Sequence, residues 1–224
     1  MNRDSLLRGL PYRPTKRTEA RKAETRERIV SAALDQLAEG GYASASVQVV
    51  AARAGVATGS VYRHFPSKAD LFTEVFRRAS QRELDVMHEV AQRDPGRPAT
   101  ERLASAAEAF ARRALASPTR AYALLAEPVD PAIEAERLIF RRGYRDVLVE
   151  GLEQGIEAGE IQPHDTRTMA AALVGALAEA LIGPLSTSTE NGRSQEALIA
   201  TVVQFCMDAI PQTADSRQPT GAET

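Results

Sequence analysis

Apolar residues recur at intervals of three and four along most of the 224-residue chain, and they nowhere alternate with polar residues for long enough to favour a strand. Breaks rich in Pro, Gly, Ser and Asp separate the periodic segments, at residues 94–98, 117–119, 127–131, 158–165 and 186–194. This pattern predicts an all-α fold of about nine helices. No apolar run reaches the roughly 18 residues that a membrane-spanning helix needs, so we expect no membrane partner.

Charge is distributed unequally along the chain. The net charge of −2 combines +6 in residues 1–68 with −8 in the remainder. A basic front on an acidic body indicates a polyanionic partner for the front alone, although basic tails also serve as solubilising segments. The single cysteine, Cys206, excludes an internal disulfide, and the N-terminus has no secretory apolar core. We therefore expect a cytoplasmic protein with Cys206 as a buried apolar residue; a redox thiol is the alternative.

The positions of Gly and Pro predict four regions. Residues 1–17 mix Pro, Lys and Arg without periodicity, which is typical of a flexible basic arm. Residues 18–66 contain three helical patterns that end at Gly40-Gly41, at Gly55 and at Pro66, and these form a small head. A capping box of Ser67 and Asp70 begins the body, residues 67–211, and residues 212–224 form a polar tail.

The third helix of the head is short, and its two faces differ. At 100° per residue, Val61 and Phe65 share one face, while Gly59, Ser60 and Arg63 lie opposite. Two helices joined by a turn at Gly55 match the helix-turn-helix that reads DNA. The Gly lets a duplex approach closely, the Ser can bond a base edge, and the Arg suits guanine or phosphate. A solvated charge is the alternative interpretation of Arg63.

Polar residues around this face are candidates for binding phosphates. A cation in the first turn of a helix opposes the helix dipole at a cost of about 0.3–1 kcal/mol, and a neighbouring phosphate reverses that sign. Hydroxyl groups and imidazole can also donate to phosphate oxygens. A core position for Tyr62 and a purely solvating basic arm are the alternatives; an arm in the minor groove is a further hypothesis. The candidates are Ser46 and Val47 in the first turn of the second helix, then Thr58, Tyr62, His64 and Lys68.

The same residues carry a resemblance. The segment GGYASASVQVVAARAGVATGSVYRHFPSKADLF, within about residues 24–76, resembles the DNA-binding domain of the TetR family of transcriptional regulators. The match includes the G-Y after the first helix, the A-x-x-A-G-V turn and G-S-V-Y-x-H-F-x-S-K-x-x-L-F. The resemblance implies a three-helix DNA-binding head, a helical body for ligand binding and dimerisation, and repression relieved by a small effector. It also implies DNA contacts at the positions Ser46, Thr58, Gly59, Ser60, Tyr62, His64 and Lys68.

The sequence departs from the family pattern at the start of the third helix. Family members often have Ser followed by Lys there, whereas this chain has Ala57 and Thr58. The change removes a favoured N-cap and a cation. Thr58 can offer its methyl group to thymine, and Arg63 can supply the missing charge.

The body contains bulky and polar residues from which a ligand cavity could be built, although ordinary core packing is the alternative for each. No arrangement of His, Cys or carboxylates has metal-ligand spacing, and no nucleophile has a base beside it, so we expect no metal, no cofactor and no catalytic site. The candidate ligand-binding residues are Phe110, Arg113, Tyr122, Glu127, Phe140, Arg141 and Tyr144.

The last two helices predict a homodimer. Residues 169–183 are apolar nearly all round and rich in Ala and Gly, and residues 197–210 have a broad apolar face. Two such helices from each subunit form a four-helix bundle. The chain is thus interpreted as a ligand-responsive regulator, a repressor that leaves a palindromic double-stranded DNA operator when a small-molecule effector binds. The alternatives are an α-helical enzyme and an effector-free architectural or protein-interaction module.

Overall fold

The computed structural model describes residues 15–186 and 194–213. These residues form nine α-helices and no strand, which confirms the predicted fold class. The head comprises the first three, and α4 to α9 form the body. The helices are α1 (Lys16–Gly40), α2 (Val47–Arg53), α3 (Thr58–His64), α4 (Lys68–Gln92), α5 (Ala99–Ala116), α6 (Pro118–Leu125), α7 (Pro131–Glu157), α8 (Thr166–Ser186) and α9 (Gln195–Asp208).

The first helix begins earlier than the sequence pattern indicated. Thr15 caps it, with its Oγ1 accepting the backbone N–H of Thr18 at 3.3 Å, so positions 16 and 17 belong to α1 and not to the arm. The rest of the predicted arm, residues 1–14, lies outside the described residues, as does most of the predicted tail. The helix ends at Gly40, and Gly41 follows with a φ of 70°, in the left-handed region that favours glycine.

One apolar cluster holds the head together. It contains Ile29 and Leu37 of α1, Val50 of α2 and Val61 of α3, all 1% exposed or less. The predicted turn at Gly55 is present between α2 and α3, and its φ of 65° lies in the left-handed region that favours glycine. The cluster also takes in the start of α4, so the head packs directly on the first residues of the body.

The long α4 belongs to both parts of the molecule. Phe72 and Phe76 pack in the head cluster, whereas Met87 and Ala91 pack in the core of the body. The predicted cap at its start is present, with Ser67 Oγ accepting the backbone N–H of Asp70 at 3.0 Å. A displacement of α4 in the body therefore acts on the apolar cluster that also holds α3 in place.

Helices α8 and α9 leave apolar surface uncovered. By length and composition α8 is apolar enough to cross a membrane, a test that core helices of soluble proteins also pass. Only 28% of the most apolar 18-residue stretch of α8 is buried, so much of its surface of small residues stays exposed. On α9, Val202 and Cys206 pack inward, whereas Phe205 of the same predicted apolar face is 61% exposed. This surface is available for another molecule.

Candidate DNA-binding surface and ligand cavity

The orientation of α3 follows from its two anchors. Val61 and Phe65 are 1% and 4% exposed and pack in the head cluster, and Arg26 of α1 lies over the Phe65 ring at 4.7 Å from its centroid. This confirms the predicted inner face. The opposite face, with Gly59 and Arg63, is therefore turned to solvent.

The outer face of α3 combines open space with exposed polar groups. A Cβ added at Gly59 would meet nothing within 4 Å, so backbone can approach a partner there. Arg63 Nη2 donates to Ser60 Oγ at 2.7 Å, which holds both side chains on the same face. Tyr62 is 45% exposed, and its hydroxyl makes no hydrogen bond within the described part of the chain. Such a face can bond base edges and phosphates without first breaking a core contact.

His64 lies at the edge of this face in a cationic setting. Partial burial lowers the pKa of the imidazole below its ordinary 6.5, and the charges of Lys22, Arg26 and Arg63 lower it further. These three cations and His64 come from α1 and α3. The surface where the two helices meet is therefore electropositive, as a phosphate-binding surface requires.

At the start of α2 the structure corrects one prediction. The side chain of Val47 is 5% exposed and packs in the head cluster, because the apolar face of α2 begins at its first residue. It cannot reach DNA, although its backbone N–H is at the helix start. Ser46 does not cap α2: its Oγ donates to Gln48 Oε1 at 2.8 Å, and its N–H donates to Gln36 Oε1. Gln48 is an exposed polar residue on this surface that the sequence reasoning missed.

Lys68 has a structural role that the sequence did not predict. Its Nζ donates to the backbone carbonyl of Tyr42 at 3.3 Å and lies 4.3 Å from the centroid of the Tyr42 ring. The ammonium group thus ties the first turn of α4 to the α1–α2 turn. Its predicted contact with a phosphate stays a prediction.

Tyr42 is the point at which body and head meet. Its backbone N–H and that of Ala43 donate to the two carboxylate oxygens of Glu127, each at 2.8 Å, and its hydroxyl donates to Asp130. Burial, together with the Asp130 charge, raises the pKa of Tyr42, so its hydroxyl stays a donor. A Cβ at Gly41 would come within 2.8 Å of Glu127 Oε2, which gives this glycine a steric reason in addition to its positive φ. The α6–α7 connection therefore holds the end of α1 directly.

Arg137 of α7 fixes that connection from the body side. The guanidinium donates to the carbonyl oxygens of Ala123 at 3.1 Å, Leu124 at 3.0 Å and Glu127 at 2.7 Å, and it pairs with Glu134. These carbonyls end α6 and would otherwise lack partners. Burial lowers the pKa of Arg137. Since Arg137 also lines a cavity, one side chain joins the cavity wall to the Glu127 contact.

A cavity of about 390 Å³ lies among α4, α5, α6, α7 and α8. The volume falls in the roughly 300–1,000 Å³ range typical of small-molecule sites. The predicted residues Phe110, Phe140, Arg141 and Tyr144 all line it. The other lining residues are mostly apolar, and they include Met87, Leu124, Leu125, Val174, Leu177 and Ile182.

The remaining three ligand candidates lie elsewhere. Arg113 lines a smaller cavity of about 30 Å³, where Glu83 pairs with it at 2.6 Å. Tyr122 lines neither cavity, because it packs on the cluster formed by α5, α8 and α9. Glu127 also lies outside both, because its carboxylate is directed at the head. The prediction that these two contact a cavity ligand does not fit the structure.

One lining residue was missed although the sequence contains a signal for it. Arg145 lines the cavity beside Arg141, and the pair continues a spacing of four residues from Arg137. Tyr144 of the same helix also lines the cavity; burial raises the pKa of its hydroxyl, and the charge of Glu83 adds to that effect. The cavity thus has an apolar floor and a cationic edge.

No group of three His, Cys, Asp or Glu residues that could hold a metal ion occurs in residues 15–186 and 194–213. Cys206 is 1% exposed, and burial raises the pKa of its thiol to about 11, which disfavours the thiolate. This environment supports the apolar interpretation of Cys206.

Comparison with known proteins assigns the chain to a family. The model of the bacterial regulatory proteins of the tetR family matches residues 29–75, and the model of the Tetracyclin repressor-like C-terminal domain matches residues 96–181. Together they cover more than half of the chain. The chain belongs to the TetR family. TetR-family proteins are DNA-binding transcriptional regulators.

Relatives with curated names resemble the front of this TetR-family chain. The transcriptional repressor KstR from Rhodococcus jostii is 39% identical over 80 residues, which are 36% of each chain. The repressor BepR from Brucella suis is 36% identical over 83 residues, 37% of this chain and 40% of that protein. The chain thus spans about two fifths of the length of the curated relatives it matches.

Solved structures resemble the whole described TetR-type fold. The fatty acid degradation regulator FadR from Bacillus halodurans is 25% identical with a TM-score of 0.69, covering 82% of this chain and 94% of that one. The regulator FadR from Bacillus subtilis, solved in complex with stearoyl-CoA, is 24% identical with a TM-score of 0.69, covering 82% and 98%. The similarity to the second structure establishes the shared fold alone.

Proposed function

We propose that the chain is a cytoplasmic homodimeric repressor that binds a palindromic operator through its head and releases it when a small molecule occupies the cavity. The observation that carries the proposal is the exposed outer face of α3, held in place by the buried Val61 and Phe65. Within the head, residues 18–66, that face presents to the major groove the bare backbone of Gly59, the hydroxyl of Ser60 and the guanidinium of Arg63.

The proposed DNA contacts divide into two kinds. Gly59, Ser60 and Arg63 face base edges, whereas the groups around them position the head on the phosphates. For Val47 only the backbone N–H is available, because its side chain is buried. The proposed phosphate ligands are Ser46, Val47, Thr58, Tyr62, His64 and Lys68.

The proposed dimer interface is formed by α8 and α9 of the body, residues 67–211. Uncovered apolar surface on α8 and the exposed ring of Phe205 support this choice. Two heads read successive major grooves only when their recognition helices are about 34–36 Å apart. The dimer therefore converts a small change in head position into a large change in operator affinity.

The route from cavity to head is proposed to pass through the α6–α7 connection. Leu124, Leu125 and Arg137 all line the cavity, and Arg137 holds the carbonyl of Glu127. Glu127 in turn holds the backbone of Tyr42. A ligand that binds one arrangement of this connection better than another shifts the population of head positions.

The test selects binding sites for the full-length chain from a random duplex pool. We expect an inverted repeat bound by one dimer, with affinity that falls steeply with salt. Tyr62→Phe should weaken binding several-fold with the fold intact, whereas the matched change Tyr122→Phe in the body should not. Selection of no sequence, or full affinity in Tyr62→Ala, would contradict the proposed DNA surface. An operator complex that no cavity-bound compound can dissociate would favour an effector-free architectural protein.

A further inference from the structure

Two arginines that line the cavity have no hydrogen-bond or ion-pair partner among residues 15–186 and 194–213. Arg141 and Arg145 both line the cavity, and neither makes a hydrogen bond or ion pair within the described residues. Arg113 and Arg120 in the neighbouring small cavity differ, since both pair with Glu83. The cavity wall therefore carries two cationic side chains that form no ion pair within the described residues.

The spacing of Arg141 and Arg145 concentrates the positive charge at one place. They are four residues apart on α7, which places them one turn from each other on one face, where like charges repel. Arg137, one turn nearer the start of α7, already makes four hydrogen bonds to α6, to α7 and to the connection between them. Glu179 is the single carboxylate among the described residues that line the same cavity, so the net charge of this lining is positive.

Most of the other residues that line the cavity are apolar. Met87, Phe110 and Leu177 lie on α4, α5 and α8, and Met87 and Leu177 are almost fully buried. An apolar group that packs among these residues is removed from water, which is favourable. Burial of a charged group at the same place is costly unless a partner of opposite charge is present. The cavity thus suits a molecule with a long apolar part and a charged end.

We propose that the effector is a single-chain amphiphile with an anionic head group, which binds Arg141 and Arg145 while its alkyl tail lies among Met87, Phe110 and Leu177. This inference rests on the proposed function and names the chemical class of the effector. Arginine pairs bind carboxylates and phosphates in a bidentate manner, and an anion between the two guanidinium groups also removes their mutual repulsion. The head group is a free carboxylate, a phosphate or an acyl thioester of a phosphorylated nucleotide.

The experiment measures binding of defined probes to the full-length protein by calorimetry, below their micellar concentrations. The probes share one tail: dodecanoate, dodecyl phosphate, dodecanoyl-CoA and the neutral dodecanol. We expect at least one anionic probe to bind at least tenfold more tightly than dodecanol. Arg141→Gln with Arg145→Gln should weaken that probe at least tenfold and leave dodecanol unchanged. Arg82→Gln, which removes an exposed cation of α4 outside the cavities, is the matched control and should change nothing.

The outcomes separate the inference from the proposed function. Equal binding of dodecanol and all the anions, or unchanged anion binding in the double variant, would overturn the inference. Preference for dodecanoyl-CoA over dodecanoate and dodecyl phosphate would identify a nucleotide thioester; the reverse would identify a free amphiphile. Ser80→Leu should obstruct every cavity ligand, because Ser80 is a buried lining residue on α4, away from the proposed dimer surface. If a neutral or cationic compound releases the operator from the native protein but not from Ser80→Leu, the proposed function would stand and the inference about an anionic effector would not.

Discussion

The carboxylate of Glu127 accepts the backbone N–H of Tyr42 at 2.8 Å, across 85 positions of sequence. The contact joins the loop after α6 to the turn that ends α1. It is buried, it involves an ionised acceptor, and it is repeated at Ala43. Hydrogen bonds to charged groups contribute about 1.5–3 kcal/mol, so this contact is strong enough to make the head follow the α6–α7 connection.

Glu127→Gln is expected to loosen this joint. An amide offers one acceptor oxygen, so one of the two N–H groups loses its partner, and the free energy of unfolding should fall by about 1.5–3 kcal/mol. Native-state hydrogen exchange should show the amides of Tyr42 and Ala43 exchanging at least tenfold faster. Glu39→Gln, which removes an exposed partner of Arg53, should leave both amides protected. Unchanged exchange in Glu127→Gln would show that the contact does not hold the head.

Lys68→Ala separates a structural role from a phosphate contact. Loss of the cation over the Tyr42 ring should lower the free energy of unfolding by about 1 kcal/mol. If Lys68 also binds a phosphate, the slope of log affinity against log salt should become shallower by about 0.9 for each subunit. The measurement is operator binding at several salt concentrations, with Arg82→Gln as the charge control. An unchanged slope with lowered stability would remove Lys68 from the DNA contacts.

Because of His64, we expect the free energy of unfolding and the operator affinity to change in opposite directions as the pH falls. Its pKa in the folded protein lies below the ordinary 6.5, so the unfolded chain takes up the proton first as pH falls. His64 therefore does not reduce the free energy of unfolding above pH 6.5, and the free energy of unfolding falls as the pH drops below that value. A phosphate beside the imidazole favours its protonated form, so operator affinity should rise as pH falls from 8 to 6, by up to about tenfold per pH unit for each subunit.

His64→Gln should flatten both dependences. His88→Gln is the matched control, because His88 lies in the body at 3.6 Å from Glu150, far along the chain from the head. Calorimetric unfolding and operator titration at the same pH values provide the two measurements. An operator affinity of the native protein that does not change between pH 8 and 6 would contradict a phosphate contact through a protonated His64.

Local patterns predicted the fold because local interactions determine it. The breaks at Gly40-Gly41, Gly55 and Pro66, and the inner face of α3, depend on residues within one or two helical turns of each other. The role of Glu127 was not visible in this way, because its partners lie far away in the sequence. The acidic side chain of Glu127 indicated a polar contact, but the sequence did not identify the residues that it would contact.

The candidate sites show the same division. Phe110 and Tyr144 line the cavity as expected because their helical faces point inward, but the pairing of Arg113 with Glu83 depends on how α4 packs against α5. Arg145 was predictable from its four-residue spacing. For the DNA surface, Val47 begins an apolar pattern that continues at Val50 and Ala51, so the burial of its side chain was predictable and the side chain was wrongly counted as a DNA contact.

Phe205→Glu is expected to separate the dimer. The ring is 61% exposed in the single chain, on the helix whose inner side holds Val202 and Cys206. If a partner subunit covers it, a carboxylate there would be buried without a counter-ion, at a cost of several kcal/mol per subunit. Sedimentation should show monomers at micromolar concentration, and operator affinity should fall because the two heads lose their fixed separation. Phe205→Leu keeps the apolar contact and should stay dimeric, and a Phe205→Glu protein that sediments as a dimer would place the interface away from this face of α9.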